Sequence, residues 1–156
     1  MPKTSAALLV FRHATDGLEV LIAHMGGPFW ACKDAGAWSI PKGEYTDDEE
    51  PLAAARREFA EEMGAPPPGG EPVPLGTVKQ SGGKAVTTFA VEGDFDLAGF
   101  RSNTFELEWP RGSGRTQEFP EVDRAAWVPV AVAREKLVKG QVPVLDALVE
   151  HVGSER

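Results

Sequence analysis

The sequence predicts an α/β protein, a mixed β-sheet covered by helices on both faces. Three observations carry this reading. Short runs rich in Val, Leu and Ile stand on both sides of one acidic amphipathic helix, and two further helical patterns close the chain. The length, 156 residues, suits one domain with one core, so a single domain over residues 1–156 is expected.

Ala6 to Phe11 and Leu18 to Ala23 read as antiparallel strands joined by a turn of about five residues, His13 to Gly17. Residues 24–37, HMGGPFWACKDAGA, lack a clean period and read as a loop. Apolar rings in a loop must pack somewhere, so Phe29 and Trp30 either tuck over the core edge or form a stacking wall for a base. Trp38-Ser39-Ile40 is a short extended piece stopped by Pro41, which places Lys42 and Gly43 in a turn.

The central helix has a legible start and end. Asp48 is a good N-cap, Pro51 falls in the first turn, and Glu49 and Glu50 sit by the positive end of the helix dipole. Gly64 is a natural C′ residue. The proline-rich stretch from Ala65 to Pro74 can be neither helix nor central strand and makes a stiff connection. Leu75 to Gln80 and Lys84 to Val91 alternate like strands about a Ser81-Gly82-Gly83 hairpin turn. Thr104 to Trp109 reads as a further strand, residues 110–117 as a flexible loop, and Ala125 to Pro129 as the closing strand. Residues 131–138 and 143–152 are helical, separated by Lys139-Gly140-Gln141.

A net charge of −8 argues against non-specific binding to nucleic acid or to anionic membranes. Eight acids lie between Glu44 and Glu62 against only Arg56 and Arg57, so the acidity is concentrated where a cation would neutralise it. Cys32 is the sole cysteine, which excludes an intrachain disulfide and fits a reducing compartment. The N-terminal apolar run is too short for a signal segment or a membrane span, and a cytoplasmic location is expected. His13, His24 and His151 are too scattered for a metal site, and no zinc, Walker or dinucleotide pattern is present.

At about 100° per residue, Glu58, Glu61 and Glu62 fall within an arc of roughly 100°, beside an apolar stripe of Leu52, Ala55, Phe59 and Met63. Like charges at this spacing repel by a few tenths of a kcal/mol per pair. A solvated acidic face is one reading of such a cluster; a hard divalent cation held by oxygen ligands is the other.

The surrounding spacing decides between them. Gly43, five residues, Glu49, seven residues, then Arg57-Glu58-Phe59-Ala60-Glu61-Glu62-Met63-Gly64-Ala65 resembles the signature of the Nudix hydrolases. Ala65 is the one departure, where the family usually carries a larger aliphatic residue. The resemblance implies an α/β/α sandwich around a mixed β-sheet, and hydrolysis of a diphosphate linkage. It implies Mg2+ or Mn2+ held by Glu58, Glu61, Glu62 and the Gly43 carbonyl, with Glu49 assisting through water. Arg57 would orient a carboxylate rather than touch substrate. Several members carry a glutamate six residues before a tryptophan that opens the last strand, and Glu121 before Trp127 matches. Glu118 and Glu61 are its competitors as general base.

Lys42, beside the helix, is placed to contact phosphate oxygens. Lys79 and Lys84 are either edge charges or further phosphate contacts, and Trp30 is the candidate for stacking on a base. The Trp-x-x-Pro-Lys-Gly segment looks like that of diadenosine tetraphosphate hydrolases, whereas the downstream segments look like bacterial proteins described as predicted nucleoside-triphosphate pyrophosphohydrolases. Gln80 stands where ADP-ribose hydrolases have a proline, and no tyrosine follows the signature, where many dinucleoside polyphosphatases have one. The expected substrate is a small nucleoside polyphosphate, acted on by a monomer or homodimer. Two rivals are a nucleotide-binding module without catalysis and an acidic interaction protein without metal.

Overall fold

In the computed structural model, which describes residues 4–15, 17–46, 48–79 and 84–154, strand β1 (Thr4–Ala14) runs through a seven-stranded sheet. Its neighbours are β2 (Gly17–Met25), antiparallel, and β6 (Ala85–Glu92), parallel, so the sheet is mixed as expected. The remaining strands are β3 (Trp38–Ser39) and β9 (Val122–Pro129) on β2, β4 (Lys42–Glu44) on β1, and β5 (Val73–Lys79) on β6.

The unbroken apolar run in β1 follows from burial on both faces. Ala7, Leu9 and Phe11 join a cluster with α2 (Val130–Lys136) and α3 (Val142–Ser154), through Ala133, Leu145 and Leu148. Ala6, Leu8 and Val10 face the other way, onto Ala54, Ala55, Phe59 and Met63 of α1 (Pro51–Met63). The sheet is therefore enclosed between α1 and the terminal helices, the α/β/α sandwich that the sequence implies.

One feature of the topology positions the site. β1 and β2 pair only near their connection, from Phe11↔Val20 to Ala14↔Gly17, and then diverge. β3 and β4 fill the gap. β3 pairs with β2 at Ala23 and His24, β4 pairs with β1 at Ser5 to Ala7, and the Leu8 amide donates to the Pro41 carbonyl at 3.1 Å. Lys42 accordingly lies in a short strand rather than in the predicted turn, because the start of β1 offers it a pairing edge.

Other boundaries also move. The ladder closes at Ala14↔Gly17, so the first turn is tighter than the five residues predicted. Pro74 lies within β5, where an edge position and a register shift between Pro74 and Gly76 absorb its missing N–H. The segment read as a loop at 110–117 ends inside β8 (Thr116–Pro120), which pairs with β7 (Thr104–Glu108) in a separate two-stranded sheet. Glycine and arginine content masked that strand, whose Phe119 lies 6.2 Å from Phe105 between ring centroids. The predicted hairpin turn Ser81-Gly82-Gly83, with Gln80, lies outside the described residues. Among those described, no helix is long and apolar enough to cross a membrane.

Candidate active site

Helix α1 begins at Pro51 with Glu50 as N-cap, two residues beyond the predicted Asp48, and no side chain caps it. Glu49 is engaged elsewhere. Arg57 grips it through two bonds, Nε to Oε2 at 2.8 Å and Nη2 to Oε1 at 2.9 Å. The same guanidinium donates to Glu58 at 2.8 Å and reaches Glu61 at 3.4 Å. Arg57 thus links three carboxylates of the acidic face. Hydrogen bonding to Glu49, then to Glu58, holds its proton more firmly than usual, and the same contact lowers the Glu49 carboxyl.

At the other end Gly64 stops the helix in the left-handed region at φ 83°, its N–H bonded to the Ala60 carbonyl. Between these ends, the turn of the helix that buries Phe59 and Met63 carries Glu58, Glu61 and Glu62 to a cleft of about 490 Å³. This cleft opens where β1 and β2 diverge, and its lining includes Lys42, Gly43 and Lys84. A Cβ at Gly43 would fall on the Glu58 carboxylate, so any larger residue there would push that side chain out of its present place.

The far wall supplies Glu121, at the junction of β8 and β9. Main-chain bonds from distant segments fix it. Its N–H donates to the Asn103 carbonyl at 2.9 Å, and its carbonyl accepts from Gly26 at the same distance. Asn103 in turn donates to the Glu61 carbonyl at 3.0 Å, tying this wall to the end of α1. The next residue, Val122, donates to Ser102 Oγ at 3.0 Å.

Crowding these acids together in a partly dehydrated cleft has an electrostatic consequence. Glu62 is only 8% exposed, and burial pushes its carboxyl up to about 8. Glu121 and Glu58 push the same way, while the Lys42 charge and the bond from the Lys42 amide oppose them. Burial also raises Glu58 and Glu121, each with a further contribution from Glu61. Carboxyls that resist ionisation in each other's presence form an all-oxygen donor set of the kind that Mg2+ or Mn2+ favours. The donor chemistry fits such a cation. Among the described residues no trio of His, Cys, Asp or Glu side chains is already gathered about one point, since Glu58 and Glu61 are turned towards Arg57.

The sequence as a whole settles the relationship. Residues 1–148 match the family model described as NUDIX domain. The chain belongs to the Nudix family. No curated protein matches it significantly. Among solved structures, the NUDIX domain of Shewanella oneidensis NrtR, in a cocrystal with ADP ribose, is similar at 17% identity and a TM-score of 0.66, covering 97% of this chain and 89% of that one. An Ap4A hydrolase of C. elegans is similar at 17% identity and a TM-score of 0.63, covering 96% and 98%. A mutT/nudix family protein from Listeria innocua is similar at 15% identity and a TM-score of 0.64, covering 99% and 97%. Identities this low establish the shared Nudix fold.

Within the Nudix cleft the predicted residues separate into two groups. Lys42, Gly43, Glu58, Glu61, Glu62, Lys84 and Glu121 come together. Trp30 and Lys79 do not. Trp30 packs against the cluster beneath α2 and α3, and Lys79 is exposed on edge strand β5, outside the cleft lining. Phe29 is 57% exposed and lies under the Lys33 ammonium, 4.2 Å from the ring centroid. Glu118 also stands outside the lining, in β8, and Glu49 is withheld by Arg57. Sequence reading missed Ser102 and Asn103, whose contacts cross to Glu121 and Val122; only their polar, turn-like character before β7 hinted at a role.

Proposed function

We propose that this Nudix domain, acting as one unit over residues 1–156, hydrolyses a diphosphate linkage in a nucleoside polyphosphate. The substrate is a nucleoside triphosphate or a dinucleoside polyphosphate such as diadenosine tetraphosphate. The observation that supports this most is the meeting of Glu58, Glu61 and Glu62 from α1 with Glu121 from the opposite wall, across a cleft bordered by Lys42 and Lys84.

Glu58, Glu61, Glu62 and the Gly43 carbonyl would hold Mg2+ or Mn2+. When bound, such a cation neutralises phosphate charge and makes phosphorus more open to attack. The Lys42 and Lys84 ammonium groups bind and orient phosphate oxygens as point charges. Glu121 takes the proton of the attacking water; burial and the nearby Glu61 raise its carboxyl, which suits an acceptor that must release that proton afterwards. Water adds its oxygen to phosphorus, the bridging P–O bond breaks, and the departing phosphate carries the bonding electrons away. Arg57 positions Glu58 and Glu61 from behind.

A binding module that holds a nucleotide without cleaving it is the second reading, suggested by the fold shared with an ADP ribose-bound NUDIX domain. One experiment separates the two. The chain is incubated with Mg2+ and a panel of nucleoside di- and triphosphates, dinucleoside polyphosphates and ADP-ribose, and products are identified by chromatography. Nucleoside monophosphate or diphosphate products from the polyphosphates are expected; saturable binding with no product would establish the module instead.

A further inference from the structure

A second cavity, of about 300 Å³, adjoins the acidic cleft and shares Met25, Ser39, Lys42 and Lys84 with it. Its remaining wall is Val138, Lys139 and Gly140, the segment between α2 and α3. The two spaces share Lys42 and Lys84 but differ in their acids. Glu44, Glu58, Glu61, Glu62 and Glu121 line the first, whereas the second has Lys42, Lys84 and Lys139 and no acid at all. In a chain of net charge −8, three lysines around one cavity without a carboxylate is an unusual concentration. Among the described residues none of the three is in an ion pair, whereas Arg12, Arg57, Arg134 and Lys136 each are.

The wall that carries Lys139 is fixed to the sheet. Val138 donates to the Trp38 carbonyl at 2.8 Å. Gln141 is fully buried; its Oε1 accepts from the Ile40 amide at 2.8 Å, and its Nε2 donates to Ser39 Oγ at 3.0 Å. Ser39 Oγ then donates to the Ile40 carbonyl at 2.8 Å. A buried, fully bonded amide of this kind sets the position of its segment, and here it holds the Lys139 backbone beside β3 and β4.

We propose that this lysine groove receives the phosphates that continue beyond the cleaved linkage, so that the site selects substrates with three or more consecutive phosphates. The proposal rests on the hydrolase reading and deepens it. Lys42 and Lys84 border both spaces, so a polyphosphate lying along them has one end among the acids and their cation and the other at Lys139. A diphosphate joined to a sugar would leave Lys139 facing a neutral group. Each added phosphate brings charge for an ammonium to meet, and charge-assisted bonds are the strong class.

The test uses inorganic tripolyphosphate and inorganic pyrophosphate as probes, titrated calorimetrically into the full chain with Mg2+. Lys139→Gln should weaken tripolyphosphate binding about tenfold, the worth of one hydrogen bond to a charged group, and shift pyrophosphate by less than about twofold. Lys139→Arg should restore most of the tripolyphosphate affinity. Arg111→Gln, which removes one positive charge outside both cavities, should alter neither probe. Equal losses for both probes in Lys139→Gln, or no loss for either, would overturn the proposal. Binding that depends on Lys139 in a chain that cleaves no anhydride would retain the groove and reject the hydrolase; cleavage with affinity indifferent to Lys139 would do the reverse.

Discussion

On one wall of the cleft Glu58, Glu61 and Glu62 share a single helix, whereas on the other Glu121 stands at the junction of strands from two different sheets. The first wall is built by local rules. Helical spacing puts the acids on one side, Phe59 and Met63 anchor the adjoining face in the core, and Arg57 binds Glu58 beside it and Glu61 one turn on. The second is built by long-range bonds. Glu121 is held through Asn103, Gly26 and, one residue on, Ser102, partners drawn from 18 to 95 positions away along the chain. A helix wall can be weakened by one substitution without losing its shape. The strand wall depends on the docking of the β7–β8 sheet, so its acid is the more sensitive to changes outside the cleft.

The largest expected effect sharpens this contrast. Glu121→Gln should lower the rate constant by roughly 10²- to 10⁴-fold, the usual worth of a positioned base, with cation affinity largely intact. Glu118→Gln, altering a side chain outside the cleft, should cost far less. Ser102→Ala should fall between them, because it removes the acceptor of the Val122 amide and loosens Glu121 without touching its carboxylate. Rate constants measured side by side at saturating Mg2+ give the order; Glu118 exceeding Glu121 would transfer the base to β8.

The difference between the walls also explains what could be read from the chain. Much of what is local was legible: the glutamate arc, the Gly64 stop, the apolar run of β1 and the spacing from Gly43 to Ala65, although the helix is capped at Glu50 rather than at Asp48. Glu121 was reachable only through its distance from Trp127. Its tethers were not, since nothing in Ser102-Asn103 declares bonds to Glu121 and Val122, far along the chain. Trp30 and Lys79 show the converse, alternatives left open in one dimension. A ring in a loop and a lysine by a hairpin fit a binding site in one dimension, yet the fold turns one into the core margin and the other onto an edge. β8 was hidden because pairing with β7, rather than its own composition, makes it a strand.

A smaller effect centres on the helix wall. The Glu62 carboxyl rises from its ordinary 4.5 to about 8 on folding. Between those values the folded chain retains a proton that the unfolded chain has released. In the cation-free protein, stability from this group is therefore full below about pH 4.5 and is lost as pH rises towards 8. Glu58 and Glu121 are shifted the same way. The cation-free melting temperature should fall by several degrees between about pH 5 and about pH 8, and Glu62→Gln should flatten most of that slope. A melting temperature that climbs steadily over this range in the wild type, or a slope untouched in Glu62→Gln, would show that Glu62 is not the group confined by the cleft.

The central claim is that the two walls act together, around a divalent cation, on a diphosphate linkage. Its most direct measurement is turnover of the best substrate in the nucleotide panel, recorded with Mg2+, after excess EDTA, and after Mg2+ is restored, for the wild type and Glu62→Gln. Loss of wild-type turnover in EDTA, its recovery when Mg2+ returns, and a rate lower by orders of magnitude in Glu62→Gln whenever Mg2+ is present are expected. Wild-type turnover undiminished in excess EDTA would contradict it.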